Sequence, residues 1–143
     1  MQNIPLCVRR LVKKYETRDP AKIAQAIGVT IKYKSYSHHT KGYFINTLRN
    51  KFIVVNKNLP EFEQRIVLAH ELGHAILHSN RGTYMIREYT LFPKGIQENE
   101  ANKFAAEFLI YDIDKNMIKD MSCDQIAQYF GVPKELVVYK FQK

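Results

Sequence analysis

Two histidines bracket a glutamate in the run His70-Glu71-Leu72-Gly73-His74. On a helix, residues four apart differ by about 40° around the axis and by about one turn along it, so both imidazoles can reach one metal ion. Zinc accepts nitrogen ligands, and the acid between the two histidines is placed to act as general base toward water. A catalytic zinc also needs a third protein ligand and keeps a fourth position open. The downstream carboxylates are Glu88, Glu98, Glu100 and Glu107. With about 100° per residue, Glu98 falls on the apolar face set by Ala101, Phe104, Ala105, Phe108 and Leu109, whereas Glu100 and Glu107 fall on the opposite, solvent side. A carboxylate on a buried face is costly unless it is paired or bound to metal, so Glu98 is the expected third ligand. Asn102, one turn further on, is expected to orient a ligand through its amide. His78 continues the series but has drifted too far round the helix to share one ion with His70, and is expected to interact with the helix dipole. His38 and His39 sit in a polar loop and are expected to be exposed.

The elements that must carry these residues can be read from caps and periodicity. Residues 3–15 and 19–27 predict two short helices, the second capped by Asp19 with Pro20 at its first position and closed by Gly28. Val29 to Tyr33, Gly42 to Asn46 and Lys51 to Asn56 predict strands, the last two joined as a hairpin through Thr47-Leu48-Arg49-Asn50. Asn58 and Glu61 have capping-box spacing and open a long helix to about His78, with Phe62, Ile66, Ala69, Gly73, Ile76 and Leu77 toward the core. Gly73 disfavours a helix interior by about 1 kcal/mol relative to Ala, which implies close approach of another segment. Ser79 to Gly95 shows no periodicity and reads as an aromatic loop. A helix over about 96–110 follows, then two C-terminal helices, the first opened by Ser122 with Gln125 three residues later. The whole reads as a small α+β zincin-like domain over 1–143, in which a short sheet with antiparallel pairing packs on the two metal-bearing helices.

Composition narrows the class. The 143 residues are 45% hydrophobic and 25% charged, ordinary values for a folded chain. No apolar run is long enough to span a bilayer, and no signal peptide is evident at the N-terminus, so a cytoplasmic setting is expected. Cys7 and Cys123 are unclustered and are expected to be reduced, partly buried thiols. The net charge of +8 is spread mostly as single basic residues, which favours a solvated surface over a nucleic-acid face. A helix-Gly-helix unit over 126–141 has a helix-turn-helix look, but its second helix is mostly apolar and poor in base-reading side chains. A non-enzymatic DNA-binding regulator and a protein-interaction module with structural zinc are therefore the weaker alternatives.

The stretches 69–78 and 98–106, with Ile23 to Val29, Lys41-Gly42-Tyr43-Phe44 and Ile126 to Pro133, resemble the ImmA/IrrE metallopeptidase family over most of the chain. The resemblance implies a gluzincin-like core in which His70, His74 and Glu98 bind Zn²⁺ and Glu71 serves as catalytic base. It also implies a setting in bacteria or their mobile elements, and a helix-turn-helix repressor as the protein substrate. The extra C-terminal sensor domain of some longer members is not expected. Tyr84, Tyr89, His78 and Tyr111 are the candidates for stabilising the oxyanion, and the strand at Gly42-Tyr43-Phe44 is the expected edge for an extended substrate.

Overall fold

A computed structural model describes residues 3–47, 50–78 and 84–141, with the backbone alone over 84–88. Two short helices open it, α1 (Ile4–Tyr15) and α2 (Pro20–Ala26), each with proline in its first turn and a side-chain cap from Asn3 or Asp19. Three strands follow: β1 (Val29–Lys34), β2 (Gly42–Asn46) and β3 (Lys51–Asn56). The long helix α3 (Glu61–Leu77) comes next, then β4 (Tyr84–Glu88) and α4 (Ile96–Leu109). The chain closes with a single turn, α5 (Lys115–Ile118), and the helix pair α6 (Cys123–Phe130) and α7 (Lys134–Phe141). Among the described residues, no helix is long and apolar enough to cross a membrane.

The sheet has the order β1-β3-β2-β4. β1 runs parallel to β3, with Ile31 opposite Ile53, while β2 is antiparallel to both neighbours, with Phe44 opposite Ile53 and Ile86. The predicted hairpin is present, and two expectations change. The segment read as an unstructured loop contains β4, and β4 occupies the side of β2 expected to be open. Five residues of an aromatic stretch carried no alternating pattern in sequence; main-chain pairing with β2 determines their conformation instead. β2 is consequently an interior strand, and Gly42, Tyr43, Phe44 and Asn46 are all buried.

Helix α3 lies across β2 and β3. Every residue from Ile66 to Ala75 is buried, so this helix has no solvent face over its second half. A Cβ at Gly42 would come within 2.6 Å of both the Val54 carbonyl oxygen and Val67 Cγ1, so only glycine lets helix and sheet meet there. At its N-terminus the predicted Asn58–Glu61 capping box does not form. Pro60 takes the cap position, the Asn58 amide donates to the Tyr36 carbonyl, and Gln64 Nε2 donates to the Lys57 and Leu59 carbonyls. Phe62, expected in the core, is 49% exposed, and the residues around it in the first turn are likewise unburied. The equivalent box at α6 does form: Ser122 Oγ accepts from Gln125 N–H, and Gln125 Oε1 accepts from Ser122 N–H.

Two apolar clusters result. One joins α1 and α2 to the sheet and α3 through Val8, Ile23, Phe44, Ile53, Leu72 and Phe104. The other joins α3 and α4 to the C-terminal helices through Ala69, Ala105, Ile110, Ile126, Leu136 and Val137. Helix α7 thus docks on α4, with Leu136 and Val137 fully buried and Lys140 paired to Glu107. The helix-turn-helix resemblance of this region is turned inward to packing.

Candidate active site

The site forms where α3 crosses α4. A Cβ at Gly73 would stand 3.1–3.2 Å from three atoms of Phe104, tighter than ordinary packing, so the crossing is set by the missing methyl. Close approach of another segment at Gly73 was expected, and α4 is that segment. The approach brings the first turn of α4 against the second half of α3 and so brings Glu98 to the histidines.

His70 and His74 are buried at 2% and 0% exposure, with ring centroids 4.8 Å apart and planes 80° apart. Both direct Nε2 at the same carboxylate oxygen. Glu98 Oε1 lies 3.1 Å from His70 Nε2 and 2.5 Å from His74 Nε2. Glu71 is fully buried, with Oε1 3.9 Å from His70 Nε2. Donor atoms of His70, Glu71 and His74 all lie within 4.8 Å of one another, a cluster that could hold a metal ion. Ligand atoms on a tetrahedral zinc lie roughly 3.3 Å apart, so two imidazole nitrogens and a carboxylate oxygen at these separations suit one small cation.

The structure brings His70, Glu71, His74 and Glu98 together. Other residues behave differently from expectation. Asn102 is buried, and its amide donates to the Pro93 carbonyl at 2.9 Å, which ties the preceding segment to α4. Glu107 is 8% exposed rather than on a solvent face, and binds Lys140 and Lys103. Helix phase placed it outside because it was measured from one apolar stripe, whereas α4 is covered by α3, α1 and α7. Glu100 is also drawn from solvent: its Oε1 meets His78 Nε2 at 3.1 Å. His78 itself is 1% exposed and bonds His74 through the two Nδ1 atoms at 3.0 Å, in addition to ending α3. The i+8 spacing of His78 and the i+2 spacing of Glu100 were the available signals for this pair.

Among the oxyanion candidates, Tyr111 lies past the far end of α4, about 20 Å from its first turn, beneath the Arg18 guanidinium at 4.3 Å. The His78 ring faces away, toward Glu100. Tyr89 is 62% exposed, and the Tyr84 side chain is outside the described residues. His38 and His39 are exposed, as expected. Cys7 and Cys123 are free and half-buried, and burial pushes the Cys7 thiol up, with Arg10 opposing.

A helix bearing two histidines and an intervening glutamate, packed on a small mixed sheet, gives a zincin-like α+β fold. The peptidase family described as the IrrE N-terminal-like domain matches residues 24–142, and this chain belongs to that family of metallopeptidases. It is 40% identical to an uncharacterized immunity region protein 2 of Bacillus phage phi105 over 139 residues, covering 96% of this chain and 88% of the phage protein. It is 36% identical over 95 residues to the metallopeptidase ImmA of Bacillus subtilis strain 168, covering 64% of this chain and 55% of that protein. No solved structure gives a significant match.

Proposed function

We propose that this chain is a zinc-dependent endopeptidase making site-specific cuts in a helix-turn-helix repressor that controls a phage or mobile element. The observation that carries the enzymatic part is the convergence of His70 Nε2 and His74 Nε2 on Glu98 Oε1, with the Glu71 carboxylate buried beside them. The likeness to a phage immunity-region protein supports the repressor as substrate. A cytoplasmic setting fits the two free thiols.

In this mechanism His70, His74 and Glu98 hold the zinc. When bound, the ion supplies Lewis acidity toward water and the scissile carbonyl. Glu71 takes the proton from the attacking water and delivers it to the leaving amine. Its burial next to His70 keeps the carboxylate out of bulk solvent and aimed at the reacting atoms. With β2 enclosed, the outer edge of β4 becomes the strand on which an extended substrate adds through main-chain hydrogen bonds. A net charge of +8 steers the enzyme toward an acidic partner, an effect that weakens as salt rises.

The test combines wild type and Glu71→Gln with a helix-turn-helix repressor of the phage or mobile element and, separately, with casein. One discrete cut in the repressor by wild type, absent with a zinc-loaded Glu71→Gln protein, is the expected result. Broad casein digestion with an intact repressor removes the repressor assignment, and wild-type cleavage by Glu71→Gln removes the general base.

A further inference from the structure

Behind His74, on the side away from Glu98, lies a second pair of polar residues. His74 Nδ1 meets His78 Nδ1 at 3.0 Å, and His78 Nε2 meets Glu100 Oε1 at 3.1 Å. Rings 74 and 78 are 5.1 Å apart, and both are essentially removed from solvent. The Glu100 side chain is 30% exposed, at the rim of the crossing.

A carboxylate can only accept a hydrogen bond, so His78 Nε2 must carry the hydrogen that lies between them. In a neutral imidazole the other nitrogen then holds a lone pair, which makes His78 Nδ1 an acceptor. His74 Nδ1 must therefore donate, and His74 Nε2 is left with its lone pair directed at His70 and Glu98. One charged group at the rim thus determines the hydrogen positions of two rings. The opposite arrangement would set a His78 lone pair against the Glu100 carboxylate, which is repulsive.

The same chain of donors leaves an acceptor nitrogen 2.5 Å from the Glu98 oxygen. Two acceptors at that distance repel unless a proton or a metal cation lies between them, and a bound metal meets that need.

We propose that His78 and Glu100 are positioning residues, which hold His74 in the Nδ1–H form so that its Nε2 lone pair faces the metal. This rests on the metal centre proposed above. Groups that hydrogen-bond a ligating histidine contribute about 10–100-fold in metal affinity. Glu100→Ala is expected to weaken zinc binding by about that factor while leaving the helical circular dichroism unchanged. Glu100→Gln, whose amide oxygen can still accept from His78, is expected to recover most of the loss. His78→Gln retains an acceptor for His74 Nδ1 and is expected to outperform His78→Phe.

The measurements are zinc affinity by competition with a chromophoric chelator, and histidine ¹⁵N spectra of the full-length protein with and without zinc. In zinc-loaded wild type His78 should be the Nε2–H tautomer; in Glu100→Ala it should become a mixture. An Nδ1–H tautomer of His78 in wild type overturns the proposal without any variant needing to fold. So does an undiminished zinc affinity in Glu100→Ala. The control His70→Ala separates the two levels: if it binds zinc like wild type, the metal centre itself fails. If it loses zinc while Glu100→Ala keeps full affinity, only the relay fails.

Discussion

Helix α4 carries a largely screened carboxylate near each end, Glu98 at 18% and Glu107 at 9% side-chain exposure, and the two meet opposite company. At the C-terminal end Glu107 contacts two ammonium groups, Lys140 and Lys103. At the N-terminal end Glu98 contacts two imidazoles of the buried α3 helix. Lysine brings its own positive charge, so the Glu107 cluster is complete as protein and ties α7 to α4. Imidazole is neutral when it presents a lone pair, so the two rings facing Glu98 can offer it acceptors as readily as donors. A buried charge is tolerated when it is paired or bound to metal. The first carboxylate takes the former solution, and under the proposed zinc centre the second takes the latter. Burial of an acid therefore does not identify a metal ligand; the chemistry of its partners does.

Removing a ligand should produce the largest effect. His70→Ala, His74→Ala and Glu98→Ala are each expected to lose zinc on dialysis, measured by elemental analysis, whereas Glu107→Ala keeps it. Full zinc retention in the first three would erase the distinction between the two ends of α4. For stability the order reverses. Glu107→Ala removes the acid that Lys140 and Lys103 share in a part-buried cluster, at a cost of about 1.5–3 kcal/mol in denaturant unfolding. Zinc-free Glu98→Ala loses contacts to imidazole rather than to ammonium groups and should be destabilised less than Glu107→Ala. A strongly destabilised zinc-free Glu98→Ala would mean that the histidines themselves neutralise the acid.

Smaller effects follow from the crossing and the surface. Gly73→Ala pushes a methyl against Phe104 at 3.1 Å, and overpacking of this kind costs about 1–3 kcal/mol, partly offset by about 1 kcal/mol of helix propensity. It should also weaken zinc binding by moving Glu98 outward, so unchanged affinity would separate the crossing distance from the site. Least of all, Asp124→Ala removes an exposed contact to Lys134 and should shift stability by less than about 0.5 kcal/mol.

The ligand helix, its motif and the Gly73 contact were legible in sequence because each depends on spacing within one element. Glu98 was legible too, because an acid on an apolar stripe contradicts its surroundings. The contacts of Glu100 and Glu107 were not, since helix phase gives direction but not which neighbours cover that direction. The helix α7 that covers Glu107 arrives from about 30 residues away in the chain. β4 was hidden for a related reason: an added sheet strand is specified by its partner's free edge as much as by its own side chains. The two capping boxes teach the same point locally. Ser122–Gln125 forms through its two reciprocal local bonds, while Asn58 is drawn off to the Tyr36 carbonyl, more than 20 residues upstream.

The placement of the donor atoms on two helices also sets an order of events in the making of the protein. His74 and Glu98 are 24 residues apart, and the span between them includes β4, which pairs with β2. Closing such a loop costs chain entropy before any contact rewards it. Under the proposed metal centre a nascent chain presents its two helical histidines well before Glu98, and is expected to bind metal tightly only once α4 has docked on α3. Metal uptake becomes a late clock for maturation, and in a refolding experiment it should lag the appearance of helix.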